Sequence, residues 1–230
     1  GGDDTVGGGE GTPPCGGDMM SPEPDPTGGD DTTGGDDTVA GGGDETAGGG
    51  QGSGDTLTFE GDDTGESFIG QDNPEIVDLL GGDDQAEGGG GADTISGGDG
   101  ADILAGGAGD DELTGGDAGS DVSDEGVDRL AGNDGDDSLF LGTGDFGAGG
   151  AGSDSFYILP DVTNTVTIVD FNPSEDMLMV EAPDGADLAL SGQEVNSLGV
   201  ALSLSNGTTI QLSNLFEEVP EDALTFLSGA

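Results

Sequence analysis

The sequence has 230 residues, of which 52 are Gly and 51 are Asp or Glu, against one Lys or Arg and no His, for a formal charge of −50. That balance excludes nucleic-acid binding, which needs basic contacts to phosphate, and any chemistry that needs His or Lys. One Cys excludes a disulfide framework, and no apolar run reaches the roughly 18 residues of a membrane-spanning helix.

So acidic a chain repels itself. Either it stays expanded, or it binds cations as it folds, with about 25 divalent ions needed for full neutrality. A disordered acidic polymer needs no sequence period, whereas a metal-folded repeat must have one.

Residues 1–80 are the least regular. GDDT recurs at Gly2, Gly29, Gly35 and Gly61, and SPEPDP (21–26) reads as an extended linker. The segment reads either as irregular coils of the repeat that follows or as a degenerate Gly/Asp-rich leader. Cys15 reads as an incidental surface thiol. The chain starts without Met and without a charged-then-apolar stretch, so a processed or partial chain without a Sec-type signal is expected.

Residues 81–158 carry a nine-residue period. GGGGADTIS (88–96), GGDGADILA (97–105), GGAGDDELT (106–114), GNDGDDSLF (132–140) and GGAGSDSFY (149–157) share Gly at places one and four, Asp at place six and an apolar residue at place eight. Asn133 alone departs from Gly at place two. GGDDQA (81–86) is in phase with them. In GGDAGSDVS (115–123) the acid, Asp121, comes one place late. EGVDRLA (125–131) is a truncated unit, and LGTGDF (141–146) carries Asp145 one place early.

Residues 159–230 have an ordinary β composition. TVTIVDF (165–171), MLMVE (177–181), DLALS (187–191), VALSLS (200–205), TTIQL (208–212) and ALTFL (223–227) read as short strands, several alternating. Asn206-Gly207 predicts a two-residue hairpin turn, which explains that sequence better than its formal glycosylation sequon does.

The residue types explain the period. Glycines let the GGxGxD turn adopt backbone angles closed to other residues, so several carbonyls aim at one spot. Carbonyls plus a carboxylate make the hard oxygen set that Ca2+ takes. The last three places form a very short strand with one side chain inward, which one unit cannot bury alone, so units must stack. Two units make an 18-residue coil with turns alternating between two edges. This places Asp93, Asp111 and Asp128 on one edge and Asp84, Asp102, Asp121, Asp137 and Asp154 on the other, with an ion between adjacent turns. The inner column is Ala86, Ile95, Leu104, Leu113, Val122, Leu130, Leu139 and Phe156. Arg129, the one cation, faces outward, where a surface ion pair is expected.

With these units in hand, residues 81–158 resemble the RTX, or haemolysin-type calcium-binding, repeat family, whose nonapeptide is GGxGxDxUx with U apolar; residues 1–80 resemble it weakly. The resemblance implies an all-β parallel β-roll holding several Ca2+ ions, a C-terminal β-rich cap, and export from a Gram-negative bacterium by type I secretion machinery through an uncleaved C-terminal signal. TVTIVDFNPSEDMLMV (165–180) is similar to the segment that closes such rolls. The resemblance carries a metal role to Asp93, Asp102, Asp111, Asp137 and Asp154, and to the turn glycines Gly88, Gly91, Gly97, Gly100, Gly106, Gly109, Gly132, Gly135, Gly149 and Gly152. At Asp121 and Asp145 the pattern departs.

Acid pairs such as Asp83-Asp84 and Asp136-Asp137 are better explained as repeat turns than as a two-carboxylate hydrolase. GGGDET (41–46) lacks the Lys of a phosphate loop. The expected protein is therefore not an enzyme. It is an extracellular or cell-surface Ca2+-binding protein of structural or matrix type, or else the non-catalytic calcium-binding and secretion module of a larger secreted enzyme or toxin. A third reading, an acidic calcium-buffering polymer, predicts many weak sites and no cooperative folding. Self-association stays open.

Overall fold

The computed structural model describes residues 37–40, 46–48, 56–116, 126–183 and 186–227, all within one compact unit spanning 35–230. The Cys15 reading, and those for Asp121 and Val122, fall outside the described residues. Strands alternate between two sheets as far as Met177–Glu181, after which three consecutive strands join the second sheet. The first holds, in spatial order, Asp37–Ala40, Leu57–Asp62, Glu75–Leu80, Thr94–Ser96, Glu112–Thr114, Ser138–Leu141, Ser155–Ile158, Met177–Glu181 and Leu224–Leu227. The second runs Thr46–Gly48, Ser67–Ile69, Gln85–Gly90, Ile103–Ala108, Arg129–Asp134, Phe146–Ala151, Thr165–Ile168, Thr209–Ser213, Gly199–Leu204 and Leu190–Asn196. Every pairing is parallel except the last two of the second sheet, Thr209–Ser213 with Gly199–Leu204 and that strand with Leu190–Asn196.

This is a parallel β-roll, and among the described residues the one helical element is a short 3-10 turn at Glu221–Ala223. The glycine turn reverses the chain, the three residues after it pair with the coils on either side, and the next turn sends the chain to the opposite sheet. In the second sheet the strands run to six residues, as in Ile103–Ala108, because pairing continues into the glycines of the next turn. The very short strand expected is seen at Thr94–Ser96 and Glu112–Thr114 of the first sheet and at Ser67–Ile69 of the second.

The single inner column resolves into two that face each other. In the first sheet Val77, Ile95, Leu113, Leu139, Phe156 and Leu178 stack in register. In the second, Phe68, Ala86, Leu104, Leu130, Gly147 and Ile168 do so. All the side chains are buried, each full burial of a large aliphatic contributing roughly 1.5–3 kcal/mol. Phe59 and Phe68 meet across the sheets with ring centres 5.2 Å apart, so regular coils begin before residue 80.

Past residue 159 both sheets continue. Val166, Val200, Leu202, Ile210 and Leu212 extend the core. The expected strand at 187–191 lies instead at Leu190–Asn196, where pairing with Gly199–Leu204 through a two-residue turn decides its limits. The hairpin at Asn206-Gly207 has a three-residue loop, 205–207, because Leu204 pairs with Thr208. Only Gly207 has positive φ, +97°, so the geometry is a turn followed by one left-handed residue. Asn206 instead uses its Oδ1 to accept the Thr208 N–H at 3.1 Å. Arg129 is exposed, and its guanidinium lies 5.7 Å from the Phe146 ring centre, so its observed neighbour is an aromatic face.

Candidate metal centre

Two files of acids line the turns. At the turns entering the first sheet, the N–H of Glu75 donates to Oδ1 of Asp93 at 2.8 Å, and that of Asp93 to Asp111 at 2.8 Å. The file continues from Asp111 to Asp137 at 2.8 Å, Asp137 to Asp154 at 3.1 Å and Asp154 to Asp176 at 3.1 Å. At the turns entering the second sheet the same bond joins Glu66 to Asp84 at 2.6 Å, Asp84 to Asp102 at 2.8 Å, Asp102 to Asp128 at 2.8 Å and Asp128 to Asp145 at 3.0 Å. Each acid is thus the acceptor for the turn stacked on it.

The two-edge placement holds for Asp84, Asp93, Asp102 and Asp111, but the later acids change sides. Asp128 joins Asp84 and Asp102, while Asp137 and Asp154 join Asp93 and Asp111. The cause lies in the separations. Asp102 to Asp128 and Asp111 to Asp137 each span 26 residues, against 18 for Asp84 to Asp102. Each of these two steps is eight residues longer than an 18-residue coil, so every acid of the files after residue 116 lies on the edge opposite to the one a strict count of nine assigns. Asp145, which the repeat pattern left out, ends the second file.

Glycine sets the geometry at two places. At place four, Gly91, Gly100, Gly109, Gly135 and Gly152 have φ between +127° and +149°, each pressed on the backbone of the preceding coil. At place one, a Cβ on Gly88, Gly97, Gly106, Gly132 or Gly149 would run into Oδ2 of the Asp in its own turn: Asp93, Asp102, Asp111, Asp137 and Asp154 respectively. At Gly88, Gly97 and Gly132 it would also come within 2.7 Å of a carbonyl oxygen of the next coil, from Gly106, Gly115 and Gly149. Asn133 is the non-glycine at place two, and its φ of +82° is one that Asn tolerates.

The second carboxylate oxygens identify what the files lack. Oδ2 of Asp84, Asp93, Asp111, Asp137 and Asp154, and Oε2 of Glu75, are buried without a hydrogen-bond partner. Burial pushes the carboxyls of Asp111, Asp137 and Asp154 up to about 6 and that of Glu75 to about 7, and raises Asp84 and Asp93. An unpartnered buried oxygen beside a carbonyl oxygen, in a notch with no Cβ, is stabilised by a hard cation. The residues present therefore fit Ca2+. Among the described residues no three acids cluster, because each turn supplies one carboxylate and backbone carbonyls must complete the set.

The ends of the files are closed differently. Asp145 accepts the Gly142 N–H on Oδ2 at 2.6 Å, and Asp176 accepts the Asn172 N–H on Oδ2 at 2.7 Å. In these two acids amides occupy the oxygen that is bare in Asp84, Asp93, Asp111, Asp137 and Asp154. The Asp-Asp pairs of the turns split by role, as a turn pattern requires. Asp110 and Asp136 accept N–H bonds from Asp136 and Ser153 on the exposed side, while Asp111 and Asp137 face inward.

Stacked parallel coils with buried carboxylates filed beside glycine notches define a class, the metal-binding β-roll. Residues 80–113 and 122–155 match the RTX calcium-binding nonapeptide repeat (4 copies). Among solved structures, the AlgE6R3 subunit of the mannuronan C5-epimerase of Azotobacter vinelandii is similar at 26% identity and a TM-score of 0.38, covering 55% of this chain and 78% of that one. The extracellular lipase LipA of Serratia marcescens is similar at 15% identity and a TM-score of 0.28, covering 75% of this chain, which spans 40% of the lipase. No curated protein sequence matches the chain. Among the described residues no helix is long and apolar enough to cross a membrane.

Proposed function

We propose that the protein is an extracellular structural or surface component that is exported unfolded by type I secretion and folds when it meets Ca2+. The observation that carries the reading is the row of buried, unpartnered carboxylate oxygens at Asp84, Asp93, Asp111, Asp137 and Asp154. Ca2+ supplies the positive charge those oxygens lack. The chain itself does the rest: Oδ1 of each acid holds the amide of its neighbour, and the place-one glycine clears room for Oδ2. In a cytosol poor in Ca2+, a formal charge of −50 and 52 glycines favour the open chain. At the millimolar Ca2+ outside, binding and folding are one event. Residues 159–230 serve as cap and export signal.

The experiment is Ca2+ titration of the chelated chain, followed by far-UV circular dichroism and by Tyr157, the sole Tyr in a chain without Trp. Tyr157 stacks on Phe140 with ring centres 4.5 Å apart, so its signal reports assembly of neighbouring coils. A cooperative gain of β signal is expected, and equal order in EDTA overturns the reading. Export is tested by co-expression with a type I exporter, where removal of 159–230 is expected to keep the chain inside the cell.

A further inference from the structure

The turn before the matched repeats contains a second kind of acid. Residues 70–78, GQDNPEIVD, lie outside the matched stretches and keep only Gly70 of the turn glycines. Its acid is Glu75, which is 2% exposed. The Glu75 N–H donates to Asp93 Oδ1 at 2.8 Å, as in every later turn of that file. Its Oε2 has no hydrogen-bond partner. That oxygen stands 2.8 Å from where a Cβ on Gly70 would be, a place that the Gly88 carbonyl oxygen of the next coil also crowds. A carboxylate oxygen and a carbonyl oxygen thus converge at Gly70, as Asp93 Oδ2 and the Gly106 carbonyl do at Gly88. The Asp93 carboxyl lies within hydrogen-bond reach of the Glu75 carboxyl, two acceptors that only a proton or a cation can bridge, while the one basic side chain of the protein lies against the Phe146 face.

Glu66, which heads the other file, stands the same way at Gly61, its Oε2 2.9 Å and the Leu79 carbonyl oxygen 2.6 Å from where a Cβ would be, but its carboxylate is already supplied with donors. Its Oε1 accepts the Thr64 hydroxyl at 3.0 Å and its Oε2 accepts the Asp62 N–H at 3.4 Å. Two glutamates at equivalent places therefore differ: one has both oxygens supplied by the protein, and the other does not.

We propose that Glu75, with the Gly88 carbonyl and Asp93, forms a further Ca2+ site that lies outside the repeats and uses Glu where they use Asp. This inference rests on the reading of the repeats as Ca2+ sites. Its consequence is that the file entering the first sheet takes one ion more than its repeats alone provide, while the other file starts on a metal-free turn at Glu66.

The test is an ion count by native mass spectrometry of the full chain in Ca2+-containing volatile buffer. Glu75→Gln is expected to bind one Ca2+ fewer than the wild type, and Glu66→Gln the same number. Equal counts for Glu75→Gln and wild type overturn the site, and so does the same loss in both variants. A wild-type chain that binds no Ca2+ overturns the underlying reading as well. If Glu75→Gln fails to fold, anomalous scattering from wild-type crystals grown with Tb3+ decides. A peak beside Glu75 supports the site, and peaks at the Asp93 and Asp111 turns without one at Glu75 overturn it.

Discussion

Asp176 accepts the amide of Asp154 at 3.1 Å on one carboxylate oxygen and has its other oxygen filled by the Asn172 amide at 2.7 Å. Asp111 accepts the amide of Asp93 in the same way, but its Oδ2 is bare. The two acids share a file and differ in what completes them. Asp111→Asn keeps the acceptor and removes the charge, so it is expected to weaken Ca2+-driven folding by about 1–3 kcal/mol and to leave the EDTA spectrum unchanged. Asp176→Asn sets an amide against an N–H and is expected to cost about the same in stability at saturating Ca2+, a loss that more Ca2+ does not restore. Ca2+ titration midpoints and urea melts at saturating Ca2+ separate the two behaviours.

The acid files set a pH dependence. Without metal, the folded-state values of Asp111, Asp137 and Asp154 lie near 6 and that of Glu75 near 7, above the ordinary 3.8 and 4.5. A group whose folded value is raised binds more protons folded than unfolded, so its contribution to stability is full below the unfolded value and lost as pH rises through the folded one. The metal-free chain is therefore expected to gain β signal between pH 7 and pH 4, with protons replacing cations at the bare oxygens. Over the same range protons compete with Ca2+, and apparent affinity is expected to fall. Circular dichroism in EDTA and calorimetry at stepped pH check the two halves.

Glycine at place four is required twice over, by its backbone angle and by the coil beneath it. Gly109 has φ +134°, and a Cβ there would strike the Gly91 carbonyl. Gly109→Ala is expected to cost at least about 1–3 kcal/mol from backbone strain alone, plus the clash between coils. Gly207 has φ +97° with open space around it, so Gly207→Ala is expected to cost only about 1–2 kcal/mol. Denaturation in saturating Ca2+ measures both.

Leu141 fills the space over Gly147, its Cδ1 2.8 Å from where a Gly147 Cβ would stand. Gly147 occupies the inward place that Leu130 holds one coil earlier. Leu141→Ala is expected to cost about 2–5 kcal/mol, and Gly147→Ala about 1–3 kcal/mol through overpacking. The pair Leu141→Ala with Gly147→Leu is expected to recover part of the loss, since the two sites share one volume. Thermal melts of the three variants in Ca2+ give the coupling.

The nonapeptide by itself determined the two-sided coil, the inward apolar place and the one-acid turn, because these are local. Glycine spacing fixes where the backbone can bend, and a period of nine places Ile95 and Leu113 in the same column wherever units run in phase. The tertiary structure decided what depends on register between coils. It moved Asp128, Asp137 and Asp154 to the opposite edges, because 26 residues rather than 18 separate Asp102 from Asp128. It brought Asp145 into its file, let Leu141 stand in for a missing side chain at Gly147, and split the glutamates into Glu66, satisfied, and Glu75, not. Stacking tolerates inserted residues because only the paired strand has to return to register, so a count along the chain loses the edge at the first irregular coil. Whether a carboxylate oxygen is bare or covered depends on an amide that the fold brings to it, and residue type carries no trace of that.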